Sequence, residues 1–207
     1  MADQPLTLLI VDDHALLREG LASLLRQAAQ DMTVLQANSS EEALRAVAAT
    51  PGIDAVLLDL LMPRTDGMGA LAALRAQYPA LPVLVVSASE NPEHVRAALT
   101  AGALGYVPKS AAPQTLLAAL RMILAGEVYV PALMLDDAGS APTPRGLTGR
   151  QRDVLRMLVQ GRSNKEIGRA LMLSEKTVKA HVTAVLRELE AVNRTEAAMR
   201  ARQRGLA

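Results

Sequence analysis

Five short apolar runs, each followed by a stretch with helical spacing, fill residues 1–126 and leave few folds open to that part of the chain. The runs are Leu6–Val11, Thr33–Ala37, Ala55–Leu58, Leu81–Val86 and Gly105–Val107. The stretches between and after them are His14–Gln27, Ser40–Ala49, Gly67–Gln77, Pro92–Ala101 and Pro113–Ala125. In the first stretch Leu17, Leu21, Leu24 and Leu25 fall on one helical face. The second opens at Ser39 or Ser40 and carries Glu41 and Glu42 in its first turn, where the helix dipole favours acids. The runs are mostly apolar without alternation, so both faces of each strand are expected to be buried. Strand and helix in strict turn predict an α/β domain, a doubly wound five-stranded parallel sheet with helices on both faces. With no Phe or Trp and only three Tyr, its cores must be packed by Leu, Val, Ala and Met.

Residues 127–146 break the pattern. The run from Asp136 to Gly146 is small, polar and proline-rich, which reads as a linker, and Leu133–Leu135 ahead of it is expected to add a helical turn. Residues 147–207 read as short helices only. Thr148 with Gln151, and Ser163 with Glu166, are capping-box pairs, and Gly161 supplies a stop. Ser174 opens a third helix that runs to about Leu189, and Thr195–Gln203 reads as a fourth. The organisation is therefore an α/β domain over 1–126, a linker over 127–146 and a small all-α four-helix domain over 147–207.

The net charge of +1 conceals a division. Residues 1–126 hold 8 basic against 12 acidic residues, residues 127–144 hold 3 acids and no base, and residues 145–207 hold 14 bases against 6 acids. An acidic module and a basic module in one chain suggest regulation joined to polyanion binding. The absence of cysteine excludes disulfides and thiolate metal sites and suits a reducing compartment. The apolar run at Leu6 stops at Asp12 with no basic segment ahead of it, so neither a signal peptide nor a membrane span is expected. The protein is expected to be cytoplasmic and free of membrane.

Ligands of doubly wound sheets sit beyond the carboxyl ends of the strands. Polar residues collect there: Asp12 and Asp13 after the first run, Asp59 after the third, Ser87 after the fourth, Lys109 after the fifth. Singly, an Asp at a strand end commonly caps the next helix, and Ser or Lys in a loop is ordinary. Their convergence on one rim is the informative feature. Adjacent carboxylates repel unless a cation joins them; a hard divalent ion such as Mg²⁺ suits oxygen ligands and phosphate. Such a pocket can set a carboxylate nucleophile against a phosphoryl donor, with Lys109 and the Ser87 hydroxyl on the phosphoryl oxygens.

In this order and spacing, Asp12-Asp13, Asp59-Leu60-Leu61-Met62-Pro63 with Gly67, Ser87-Ala88 and Tyr106-Val107-Pro108-Lys109 resemble the receiver domain of two-component response regulators. The resemblance spans nearly all of residues 5–126 and implies a flavodoxin-like fold. It further implies that Asp59 accepts phosphate from a sensor histidine kinase and that Asp13, Asp59 and the Leu61 carbonyl hold Mg²⁺, with Asp12 in support. The switch it implies moves Ser87 toward the phosphoryl group while Tyr106 swings into the vacated space. A phosphatase of the haloacid-dehalogenase type needs a second aspartate two residues after the nucleophile; Leu61 stands there. No glycine-rich phosphate loop follows any strand, so a nucleotide enzyme is disfavoured. The chain is expected not to be an enzyme, beyond slow phosphorylation from small donors and slow loss of that phosphate.

On a helical wheel of Ser174–Leu189, Val178, Val182, Val185, Leu186 and Leu189 share one face. Lys176, Lys179, Ala180, Thr183 and Arg187 share the opposite face. A cationic face of small side chains fits a major groove, although the pattern also describes a solvated helix face. The segments Leu147–Leu155, Gly161–Ile167 and Ser174–His181, with Asn193-Arg194-Thr195 and Ala197, resemble the LuxR-type helix-turn-helix domain. A receiver followed by that domain is the layout of NarL/FixJ-type transcription regulators. The resemblance implies that Lys179, Ala180 and Thr183 read bases, and that Lys165, Lys176, His181 and Arg187 are candidates for phosphate contact. For His181, on the flank of the wheel, a structural hydrogen bond is the competing role. Ala197, Ala198 and Met199 correspond to a dimerising helix. Gln151 stands where the family usually has Glu, and Glu188 replaces a usual basic residue. The implied partners are promoter DNA with two-fold half-sites, a cognate histidine kinase and a second copy of the chain on activation, with RNA polymerase as a further one. The alternative is a phosphate-insensitive receiver used as a protein-interaction module beside the same DNA-binding domain.

Overall fold

The computed structural model describes residues 6–28, 32–62, 65–131, 147–171 and 173–206. Five strands form one parallel sheet: β1 (Leu6–Val11), β2 (Met32–Ala37), β3 (Ala55–Leu58), β6 (Val83–Ser87) and β7 (Gly105–Pro108), in the order β2-β1-β3-β6-β7. Between and after them lie α1 (Ala15–Ala28), α2 (Ser40–Ala49), α3 (Gly67–Gln77), α4 (Pro92–Thr100) and α5 (Pro113–Leu124). The alternation read from the sequence is therefore the architecture.

The pleat explains why the strands carry no polar alternation. Leu9, Val11, Val56, Leu58, Val83 and Val85 enter one core beneath α2, α3 and α4. Their neighbours Leu8, Ile10, Ala55, Leu57, Leu84 and Val86 enter a second core beneath α1 and α5. Successive side chains point to opposite faces, and where helices cover both faces the strand positions are apolar. Each strand residue from Leu8 to Val11 is at most 1% exposed.

Three local differences from the sequence reading have simple causes. A two-residue hairpin, β4 (Leu61–Met62) with β5 (Thr65–Asp66), follows Asp59 and is too short to show periodicity. The fourth large strand starts at Val83 rather than Leu81, because Pro82 has no N–H for the ladder and only its carbonyl is used, by Val56. After α5 the chain turns at Gly126 (φ 77°) and stays on the first domain, where the Tyr129 amide donates to Leu104 and a parallel bridge forms to Gly105. Tyr129 thus adds one isolated bridge at the sheet edge. The expected turn at Leu133–Leu135 lies outside the described residues.

The second domain comprises α6 (Gly149–Val159), α7 (Asn164–Leu171), α8 (Glu175–Glu188) and α9 (Arg194–Gln203). Thr148 and Gln151 form the capping box, Ser163 and Glu166 exchange bonds at the start of α7, and Ser174 and Asn193 cap α8 and α9. Leu155, Leu158, Val185, Leu189 and Ala197 build its principal core. A second cluster, of Val154, Ile167, Leu173 and Val178, is completed by Ala80 of the first domain. No helix of the described residues is long and apolar enough to cross a membrane.

Candidate functional site

The sheet places Asp12 and Asp59 side by side because their strands are neighbours: Val11 pairs with Leu58, and both aspartates follow directly. Both are 2% exposed. Lys109, arriving just after β7, puts its Nζ 2.8 Å from Asp12 Oδ2 and 2.8 Å from Asp59 Oδ2. The remaining oxygens are held by backbone amides, Asp12 Oδ1 by His14 at 2.8 Å and Asp59 Oδ1 by Leu61 at 3.0 Å. Burial works against the Lys109 ammonium, but its bonds to Asp12 and Asp59 outweigh that and raise its pKa.

Asp13 completes the pocket. Its Oδ1 is buried and accepts no hydrogen bond, although the His14 Nδ1 lies 3.0 Å away. Ligand atoms of Asp12, Asp13, His14 and Asp59 all lie within 4.8 Å of one another, a grouping of the kind that holds a divalent cation. An orphaned carboxylate oxygen beside two others is what such an ion satisfies, so the residues fit a hard divalent cation such as Mg²⁺. His14 is the member that sequence reasoning missed; its only signal was that it follows Asp13. Gly67 is required for a different reason. A Cβ there would stand 2.5 Å from Leu60 Cα and 2.7 Å from the Asp59 carbonyl oxygen, so only glycine lets α3 start against the loop that carries Asp59.

Ser87 is fully buried at the end of β6, and its Oγ accepts from the Ser89 amide at 3.3 Å. Tyr106 is also fully buried, and its hydroxyl donates to the Ser89 carbonyl at 2.7 Å. The ring lines a cavity of about 170 Å³ with Leu60, Leu61, Met68, Ser87, His94 and Ala97. The expected inward swing of Tyr106 thus has no outward starting point in this arrangement: the ring is already inside. Pro63, of the receiver-like motif, lies outside the described residues.

In the second domain Lys179, Thr183 and Arg187 are exposed along α8, Lys176 and Ala180 are half-buried beside them, and Lys165 is exposed on α7. His181 stands apart from them, fully buried with no hydrogen-bond partner for either ring nitrogen. In this arrangement His181 makes neither the expected structural hydrogen bond nor a contact open to a phosphate. Burial, then the nearby Arg150 guanidinium, lowers its pKa to about 4. On α9, Ala197 is fully buried in its own domain's core and Ala198 packs beside it, while Met199 is 57% exposed. Of the three residues expected at a dimer face, Ala197 is instead internal packing.

The two domains meet along the flank of α8. The Thr177 hydroxyl donates to Asp54 Oδ1, and Asp54, fully buried at the start of β3, also accepts from the Thr7 amide at 2.8 Å. Gln151 Nε2 donates to the Gly126 carbonyl at 3.0 Å, and Arg187 pairs with Glu127. None of Asp54, Glu127 and Thr177 carried a sequence signal for this role, because contacts between domains have no periodicity.

Comparison with known proteins agrees with this geometry. Residues 8–121 match the model described as response regulator receiver domain, and residues 145–201 match that of bacterial regulatory proteins, luxR family. The nitrate/nitrite response regulator protein NarL of Escherichia coli is 37% identical over 205 residues, covering 95% of this chain and 94% of NarL. The chain is a response regulator of the NarL/FixJ type.

Among further relatives of this response regulator, the glycerol metabolism activator of Pseudomonas putida is 36% identical over 207 residues, with 94% of each chain covered. The response regulator ChrA of a heme-sensing two-component system matches 99% of this chain and 100% of its own at 31% identity, with a TM-score of 0.52. The acidic pocket therefore belongs to a receiver domain and α8 to a LuxR-type DNA-binding domain, which together make a transcription regulator.

Proposed function

We propose that this response regulator is switched by phosphorylation of Asp59 and that the switch releases α8 to DNA. The observation that carries the reading is the buried Asp59 carboxylate, 2.8 Å from Lys109 Nζ at the mouth of an acidic pocket. An oxygen of Asp59 attacks the phosphorus of a phosphohistidine on the partner kinase, the P–N bond breaks, and the leaving imidazole takes a proton. Asp13, Asp59 and the Leu61 carbonyl would hold Mg²⁺, which when bound neutralises charge on the transferring phosphoryl group. Lys109 exchanges its bond to Asp59 for one to the phosphoryl oxygens, and the Ser87 hydroxyl turns from the Ser89 amide toward them. With Tyr106 already inside, Ser87 and the segment to Ser89 are the moving parts.

Before phosphorylation the receiver occupies one flank of α8 through Asp54, Gly126 and Glu127. Lys179 and Thr183 face solvent, but a groove embracing the helix needs that flank too. Phosphorylation shifts the population to an open form in which α8 enters the major groove, Lys179, Ala180 and Thr183 face bases, and two copies dimerise on a two-fold site. The test is incubation with acetyl phosphate and Mg²⁺ followed by intact-mass measurement. Wild type gains one phosphate and Asp59→Asn gains none; incorporation that survives the substitution moves the nucleophile elsewhere.

A further inference from the structure

His181 sits on the DNA-binding helix, fully enclosed, and the phosphoryl chemistry makes no use of it. Its ring packs on Gly126 at the end of α5, where the backbone has φ 77° and any added Cβ would collide with the imidazole. The Gly126 carbonyl takes its bond from Gln151 of α6, Glu127 is paired with Arg187, and Asp54 is bonded by Thr177 one turn before His181. From α6, Arg150, 6% exposed, brings a positive charge, with its Nη2 on the Leu171 carbonyl. The enclosure suits a neutral ring and offers an imidazolium no partner and one like charge.

We propose that His181 is a proton-sensitive latch: proton uptake by its imidazole drives α8 off the receiver and opens the two domains without phosphorylation of Asp59. This rests on the closed form described above. The direction follows from where the proton is preferred. Enclosure and Arg150 hold the closed-form pKa at about 4, against about 6.5 for an exposed imidazole. A His with a depressed pKa favours the closed form fully above the ordinary value, and that preference is lost as pH falls toward the depressed one. From about pH 7.5 to about pH 5.5 the closed-to-open ratio therefore drops, by less than about tenfold, because Arg150 stays beside the ring when the receiver leaves.

The chain has no cysteine, so a single introduced thiol reports opening. Ala80, 7% exposed in the cluster shared between the domains, is replaced in Ala80→Cys; Val192, 85% exposed, is replaced in the control Val192→Cys. Thiol labelling of the first, divided by that of the second at the same pH, follows the open fraction. The ratio is expected to rise, by up to about tenfold, over that acid interval and to stay level when His181→Gln is added. A level ratio in the presence of His181 overturns the latch, as does an equal rise with His181→Gln. Labelling of Ala80→Cys as fast as the control near neutrality overturns the closed form itself, and the latch with it. Should His181→Gln not fold, ring-proton NMR decides: a His181 midpoint below the ordinary histidine range that rises when Thr177→Val weakens the interface upholds the latch, and a midpoint that stays put, or an ordinary one in the unsubstituted chain, overturns it.

Discussion

Replacing Lys109 by methionine tests the electrostatics of the receiver pocket most directly. Asp12 Oδ2 and Asp59 Oδ2 each lose a donor at 2.8 Å, and two carboxylates that are 2% exposed are left side by side. Removing one partner of a buried ion pair costs about 3–5 kcal/mol. The Lys109 side chain is 15% exposed, so solvent already screens part of the interaction and the lower end applies. A loss of about 3 kcal/mol in a chain of this length corresponds to a melting temperature lower by about 6–12 °C. Two accompanying signs are diagnostic. Magnesium should recover more stability in Lys109→Met than in wild type, because a divalent cation replaces the missing charge. With two like charges adjacent, one carboxylate binds a proton closer to neutrality, so the variant should gain stability as pH falls from about 8 to about 6. In wild type the raised Lys109 pKa contributes stability that is complete below the ordinary lysine value and lost only as pH rises through the raised one, well above that interval. Thermal unfolding followed by circular dichroism, with chelator or with magnesium, measures all three. A variant that melts with wild type in chelator and ignores both magnesium and pH would refute the idea that Lys109 balances a strained pair of acids.

Thr177→Val removes the hydroxyl that Asp54 accepts from and strands a buried carboxylate oxygen, costing the closed form about 1.5–3 kcal/mol and raising the open fraction about 10- to 150-fold. The Ala80→Cys labelling rate reads this, and combining the change with Asp54→Asn should add less than the sum, since both remove one bond; strict additivity would show that the two residues are not coupled. Lys165→Ala is expected to weaken binding to mixed-sequence duplex DNA in low salt and to flatten the slope of log K against log salt by about 0.9, one phosphate's worth. An unchanged slope removes Lys165 from phosphate contact.

Much of this could be read from order and spacing. The alternation of apolar run and amphipathic stretch fixed the parallel sheet, since unbroken apolar strands are stable only when both faces are covered. The pocket residues were legible because ligands gather at the carboxyl ends of such strands, and Asp12, Asp13, Asp59 and Lys109 all stand there. The caps at Thr148, Ser163 and Ser174 were legible for a local reason, a hydroxyl three residues ahead of the amide it serves. Arg150, 6% exposed, shows the opposite case: burial, offset in part by Asp153, brings its pKa down to about 10, and no local pattern marks a guanidinium as interior.

What the chain order determined by itself is therefore whatever depends on periodicity and on strand ends: two domain types, their elements, and the residues that topology must bring to one rim. The tertiary structure alone decided which side chains turn inward and which surfaces meet. His14 joins the acids, Tyr106 stands inside, Ala197 is core, and Asp54, Gly126 and Glu127 close on Thr177, His181 and Arg187. Such contacts join residues as far as 123 positions apart. They depend on how two finished surfaces fit, and a linear pattern with a period of two or three and a half residues carries no record of that fit.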